Sequence, residues 1–140
     1  MGWEEILLRL GAAAIIGSAI GVNREMHHKS AGFRTIAIVC VGTALAVIVA
    51  PTGGDAASAS RVFQGVVTGI GFLGAGLIVH HAQDETVEGL TTAATIWSAA
   101  ALGAAFGMGN WMPMLIGGVL ILGLLAVGGW VETVVRKRSG

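Results

Sequence analysis

The sequence predicts an all-α, polytopic transmembrane helical bundle with about five spans. Five apolar stretches separated by short polar breaks support this class, together with 54% hydrophobic residues, 11% charged residues and a mean hydropathy of +0.80. A soluble domain of 140 residues with this composition has too few polar side chains to cover its apolar surface, so lipid must cover it. We expect residues 1–140 to form a single transmembrane domain.

The spans follow from their length and from the lack of alternation. A spanning helix needs about 20 mostly apolar residues, whereas a barrel strand alternates apolar and polar positions, which these stretches do not. Every backbone group inside hydrocarbon must also be paired, which favours helices. The second span is short and could begin near Phe33, and the fifth is long enough to tilt or to emerge as a cytoplasmic turn. The predicted spans are residues 6–22, 35–50, 62–79, 89–107 and 112–135.

The distribution of basic residues predicts the orientation. Six lysines and arginines lie in the break after the first span and in the C-terminal tail, whereas Arg61 is the only one in the breaks on the opposite side. The positive-inside rule therefore places the N-terminus outside and the C-terminus in the cytoplasm. Glu4 and Glu5 stand where a secretory signal would carry basic residues, so we expect the first span to be retained.

Glycine spacing predicts how the helices pack. Three pairs of glycines lie four residues apart, which puts both members on one helix face and lets a neighbouring backbone approach closely. Glycine is densest in the third span, so that span packs tightly or, as the alternative, is kinked or partly unwound around a polar cavity. The glycines predicted to serve packing are Gly17, Gly21, Gly65, Gly69, Gly71, Gly74, Gly76, Gly103 and Gly107.

Polar residues inside the spans are candidates for function because burying them unpaired is costly. Arg9 lies about one turn into the first span, so we expect it to snorkel to the outer surface; its alternative role is to pair with a buried acid or face a cavity. Gln64 and Thr68 could point toward a hydroxyl-bearing face of the fourth span and form interhelical hydrogen bonds. The polar residues of that fourth span are Thr91, Thr92, Thr95 and Ser98.

A charged cluster is predicted at the cytoplasmic edge, where the first span ends and the second begins. Two cations and a carboxylate converge there at one membrane depth. The cluster could anchor the start of the second helix or form the mouth of an ion path, and the sequence leaves both open. Its members are Asn23, Arg24, Glu25, Arg34 and Thr35.

The inner loops offer weak evidence for a metal. The histidine pairs at residues 27–28 and 80–81 have no fixed ligand spacing, and solvated charges are favoured over a magnesium contact at Asp84, Glu85 and Glu88. No nucleophile, base and orienting acid occur at usable spacing, so we predict no enzymatic activity and no cofactor. A formal net charge of zero argues against nucleic acid as a partner.

Four ordered segments resemble the signature of the MgtC/SapB inner-membrane family. They are NRE at residues 23–25, AGFRT at 31–35, RVFQGVVTGIGFLGAG at 61–76 and GLTTAATIW at 89–97. The sequence departs from the family where Ile36 replaces a residue that is polar in many relatives. It also ends at Gly140, where the virulence-factor branch continues into a soluble domain, so we do not expect functions of that domain here.

The resemblance implies a multi-pass protein of the bacterial inner membrane. Members are associated with growth or survival at low magnesium and inside macrophages, and the virulence-factor branch is linked to restraint of the F-type ATP synthase. The first functional hypothesis is a non-enzymatic regulator of magnesium, pH or membrane-potential homeostasis that contacts other spans through its glycine faces. We expect the lipid bilayer as its surroundings, a homo-oligomer with a dimer favoured, and an integral membrane protein as a further candidate partner.

The second hypothesis is an oligomeric carrier or channel for a small ion or solute such as Mg²⁺ or the proton. Five helices enclose little space by themselves, so such a path would need several subunits. The residues that would form the path are Arg24, Glu25, Arg34, Gln64, Thr68, Thr91 and Thr92.

Overall fold

The structure, a computed structural model, describes residues 1–50, 56–81 and 86–138. Helices dominate these residues, which confirms the predicted all-α class, and one short antiparallel hairpin interrupts them. The elements are α1 (Trp3–Met26), α2 (Phe33–Ile48), α3 (Ala56–Leu77), β1 (Val79–His81), β2 (Thr86–Glu88), α4 (Leu90–Met108) and α5 (Trp111–Arg138).

Length and apolar character qualify three helices of the described residues to cross a membrane. They are Trp3–Met26, Leu90–Met108 and the Trp111–Val131 part of α5. Helix α2 is apolar but shorter, and α3 is not among the three. The count of five spans and the predicted orientation therefore stay predictions.

Helix α4 occupies the centre of the bundle. It packs against all four other helices, and α2 also packs against α1. The largest fully buried side chains include Ile20 of α1, Ile36 of α2 and Phe106 of α4. Most large apolar side chains of α5 are exposed, among them Leu115, Val119 and Trp130, as expected of a helix in lipid.

Two of the three glycine pairs hold helices together at backbone distance. A Cβ at Gly17 would lie 2.8 Å from the Cβ of Cys40, and one at Gly21 would lie 2.6 Å from the Cα of Phe33, so α1 rests directly on α2. A Cβ at Gly103 would overlap the carbonyl group of Cys40, and one at Gly107 would lie 2.7 Å from the carbonyl oxygen of Ala44. These glycines of α4 therefore pack directly on α2, against its backbone and the Cβ atoms of Thr43 and Val47.

The glycines of α3 are placed differently. A Cβ at Gly65, Gly69, Gly71 or Gly76 would meet nothing within 4 Å, and one at Gly74 would only reach the Cβ of Ala93, at 3.4 Å. Within the chain these glycines do not provide the predicted close approach. Helix α3 is a continuous α-helix over Ala56–Leu77, without the unwound stretch considered as an alternative.

The chain between α3 and α4 differs from the predicted polar loop. The third span is predicted to end at Val79, but Val79 begins β1, where it pairs with Glu88, and His81 pairs with Thr86. Gly89 then turns the chain into α4 with φ of 91°, and a Cβ there would collide with the carbonyl oxygen of Leu77. Only glycine fits this turn, which seats the start of α4 against the end of α3.

Replacing Gly103 by alanine tests the backbone contact between α2 and α4. We expect Gly103→Ala to lower the free energy of unfolding by about 1–3 kcal/mol, because the added methyl group must displace the backbone of α2. The matched control is Gly123→Ala on α5, whose Cβ would meet nothing within 4 Å. It should raise stability by about 0.5–1 kcal/mol. Unfolding in detergent measures both, and equal effects would contradict the proposed contact.

Candidate functional site

A buried arginine marks the end of the bundle formed by the C-terminus of α1 and the N-termini of α2 and α4. We call this end the inner end, after the predicted orientation. Arg24 lies in the last turn of α1 and is 4% exposed. Its Nη2 donates a hydrogen bond to Oγ1 of Thr92 in the first turn of α4, and Thr92 is itself buried. The cation at the carbonyl end of α1 interacts favourably with the helix dipole, and the hydroxyl offsets part of its desolvation.

A tight turn brings a second cation to the inner end. The N–H of His28 donates to the carbonyl of Glu25, and the N–H of Lys29 donates to that of Arg24. This pair of bonds is the Schellman arrangement, with His28 in the left-handed position at φ of 53°. The turn ends α1 and folds the following residues back toward Arg24.

A cleft of about 630 Å³ opens between this turn and the start of α4. We call it the inner cleft. Arg24, Lys29 and Ser30 line it on one side. Glu88 of β2 and the first residues of α4, including Thr91 and Thr92, line it on the other.

Glu25 holds the start of α2. Its Oε2 accepts a hydrogen bond of 3.0 Å from the N–H of Phe33, so the carboxylate caps a helix that Gly32 precedes without a side chain. Glu25, Arg34 and Thr35 line a second, shallower cleft of about 450 Å³. The predicted cluster is therefore divided, since Arg24 lines the inner cleft and Arg34 lines the second.

The remaining member of the cluster, Asn23, faces α5. Its backbone carbonyl accepts a 2.7 Å hydrogen bond from Nδ1 of His27. Asn23 lines a narrow groove of about 60 Å³ together with Arg24 and the α5 residues Leu124 and Gly128.

Arg9 occupies the opposite end of α1. It forms an ion pair with Glu5 and donates from Nη1 to the carbonyl oxygen of Gly107, near the end of α4. The chain leaves α4 through Gly109 at φ of 76°, directly beside the guanidinium. Arg9 is partly exposed and its acidic partner is exposed, so its contacts fit the structural role expected for it rather than pairing with a buried acid.

The polar residues of α3 and α4 do not meet across the helices. Thr68 donates to the carbonyl of Gln64 at 2.8 Å, and both residues are exposed. On α4, Thr95 donates to the carbonyl of Thr91 at 2.7 Å, and Ser98 donates likewise to that of Ala94. The structure thus differs from the expected interhelical hydrogen bonds, because α3 turns a different face toward α4.

That inward face of α3 is apolar. Ile70 is buried, Val66 and Leu77 pack against the core, and Gly74 touches Ala93 of α4. Gln64 and Thr68 fall on the other side of the helix, facing away from the chain.

The metal candidates lie mostly outside the described residues. Asp84 and Glu85 belong to the undescribed stretch, while Glu88 ends β2. Within residues 1–50, 56–81 and 86–138, no group of three or more His, Cys, Asp or Glu side chains is arranged to hold a metal ion.

Apolar helices long enough to cross a bilayer, with large exposed apolar side chains, define an α-helical membrane protein. The chain belongs to the MgtC family, whose pattern matches residues 10–134.

Three relatives illustrate the similarity. SrpB of Synechococcus elongatus is 46% identical over 127 residues, covering 82% of this chain and 70% of that protein. The putative magnesium transporter YhiD of Escherichia coli is 41% identical over 131 residues, covering 88% and 60%. The protein MgtC of Salmonella typhimurium is 38% identical over 116 residues, covering 83% and 49%. The chain thus spans between about half and 70% of these relatives' lengths, and no solved structure matches it significantly.

Two buried threonines of α4 provide a matched test of the arginine contact. We expect Thr92→Val to lower the free energy of unfolding by about 2 kcal/mol, because it removes a hydrogen bond to a buried charge. Thr95→Val is the control: Thr95 is equally buried, but its hydroxyl only bonds a carbonyl of its own helix. It should cost less than about 1 kcal/mol. Similar losses in detergent unfolding would show that the Arg24 contact contributes nothing specific.

Proposed function

We propose that this chain is a non-enzymatic inner-membrane protein that regulates magnesium and ion homeostasis or membrane energetics by contacting other membrane helices. Relatives named MgtC and putative magnesium transporter support the connection with magnesium. The polar side chains described above mainly cap helices and join α1 to α4, which is consistent with a role that does not require chemistry.

One observation carries the proposal: α3 presents an outward face that nothing in the described chain covers. We call this the α3 outer face, and it comprises Gln64, Gly65, Thr68, Gly69 and Phe72. In hydrocarbon the amide of Gln64 gains from a hydrogen-bonding partner, and the bare glycines leave room for another backbone. The other two glycine pairs already contact helices of this chain, so the third is available for a partner.

A second copy of the chain is the favoured partner. Two copies of the α3 outer face would bring Gln64 and Thr68 of each helix close to their counterparts, and amide and hydroxyl groups can both donate and accept hydrogen bonds. A different integral membrane protein is the other candidate, since the same face would receive any helix with small residues.

An oligomeric carrier of Mg²⁺ or the proton is the second candidate function. The inner cleft favours it, because an open cleft that reaches a buried arginine resembles the mouth of a path. Two features oppose it. Among the described residues that line the cleft, the basic residues Arg24 and Lys29 outnumber the acidic residue Glu88, which disfavours a divalent cation. The polar pair on α3 is also not joined to the cleft within one chain.

Replacing Gly69 by leucine tests the α3 outer face. Its Cβ would meet nothing within 4 Å, and leucine favours helix, so the chain should fold at least as stably as before. Association of chains, measured by crosslinking in membranes and by mass in detergent, should fall about tenfold or more, because the bulky side chain keeps the partner helix away. Growth at low magnesium should fall with it.

The control for this substitution is Gly123→Leu, a glycine of α5 that is equally open. It should leave association and growth unchanged. Unchanged association in Gly69→Leu would remove the basis for the proposal, whereas loss of a stoichiometric heterologous membrane protein with intact self-association would assign the face to that protein.

Flux measurements separate the two candidate functions. Purified chain in sealed vesicles should move neither Mg²⁺ nor protons above the rate of empty vesicles if it acts through helix contacts. A saturable flux that Glu25→Gln or the double variant Gln64→Leu, Thr68→Val abolishes would instead establish the carrier. Circular dichroism and detergent unfolding would verify that these variants remain folded.

A further inference from the structure

The inner cleft combines the features of a site for a phosphate group. Arg24 supplies a guanidinium that is more than nine-tenths buried, and Lys29 supplies an exposed ammonium at the rim. A buried guanidinium lining an open cleft offers planar N–H donors, the geometry that phosphate oxygens accept best.

The start of α4 adds neutral donors to the same cleft. Gly89 precedes α4 and provides no side-chain cap, and the first backbone bond of the helix is donated by Ala93 to Gly89. The N–H groups of Leu90, Thr91 and Thr92 therefore precede the helical hydrogen-bond ladder, and all three residues line the cleft. Such N–H groups, aligned with the positive end of the helix dipole, stabilise an anion beside the arginine.

A narrow groove of about 60 Å³ continues from the cleft along α5. Arg24, Lys29 and Thr91 line both spaces, and the groove extends between them and Leu124, Leu125 and Gly128. Leu124 and Leu125 make the α5 side of the groove apolar, whereas Asn23, Arg24 and His27 make its α1 side polar.

We propose that the inner cleft binds an anionic phosphate group through Arg24, Lys29 and the first turn of α4. A phospholipid headgroup of the adjacent leaflet and a soluble phosphate share this chemistry, and the titrations below distinguish the two sources. The assignment does not depend on contacts at the α3 outer face. Glu88 also lines the cleft, and its negative charge opposes the binding of an anion. Removing this charge should therefore strengthen binding.

The experiment uses the full chain, purified in neutral detergent and freed of lipid. Phosphatidylglycerol, phosphatidylethanolamine, inorganic phosphate and Mg²⁺ are titrated separately, with native mass spectrometry for the lipids and thermal shift for the ions. About 0.5 M salt reduces the Debye length well below 8 Å and suppresses diffuse attraction. Phosphatidylglycerol should still bind at least about fivefold more tightly than the zwitterionic lipid, because contacts inside the cleft are screened less than diffuse attraction.

Three charge variants identify the site. Lys29→Gln should weaken binding about fivefold, and Glu88→Gln should strengthen it by a similar factor. Arg34→Gln removes an equally exposed cation of the inner end that lines the second cleft instead, so it should change binding by less than about twofold. Melting temperatures of the unliganded variants control for folding.

The outcomes show whether the phosphate belongs to a lipid or to a soluble ligand, and which results would contradict the proposed site. Binding of inorganic phosphate without lipid retention, with the same dependence on Lys29 and Glu88, supports the site and assigns a soluble ligand. Equal losses in Lys29→Gln and Arg34→Gln, or no binding of any phosphate source, would overturn the proposal. So would binding of Mg²⁺ alone that Glu88→Gln abolishes.

Discussion

The direct contact between the backbones of α2 and α4 is the constraint on which the bundle depends. Gly103 and Gly107 bring α4 so close to α2 that a methyl group at either position would strike a carbonyl oxygen. In hydrocarbon no hydrophobic force drives helices together, so close packing of this kind must supply the attraction. Helix α4 consequently occupies the centre, and the residues at both of its ends come within reach of α1.

Composition and apolar length were sufficient to predict the fold class, because helices are the structures that pair their own backbone groups in lipid. They did not predict the hairpin after α3. Val79 continues an apolar run, and a short run of apolar residues does not distinguish the end of a helix from a strand. Glycine spacing likewise predicted the faces of close approach but not their partners. Gly103 meets a neighbour within the chain and Gly69 does not, although both belong to pairs with the same spacing.

The candidate site was predicted as separate residues rather than as an arrangement. Arg24 and Thr92 were both identified by their polarity near the membrane edge, yet they are 68 positions apart, and only the packing of α1 against α4 joins them. The expectation that Gln64 and Thr68 of α3 face α4 is wrong. The side of α3 that faces the bundle contains the apolar residues Val66 and Ile70, so Gln64 is turned outward. The helical spacing of these apolar residues in the sequence indicates this orientation. The turn at His28, which adds Lys29 to the site, left no recognisable sequence pattern.

The two arginines of α1 also determine how the protein meets a bilayer of different thickness. Arg9 and Arg24 are fifteen residues apart, as are their partners Gly107 and Thr92 on α4, so the two attachments are separated by about 22 Å along antiparallel helices. Sliding one helix past the other would break both attachments at once. Hydrophobic mismatch must therefore be accommodated by tilting α1 and α4 together as a strut of fixed length, while the loosely covered α5 adjusts its own inclination.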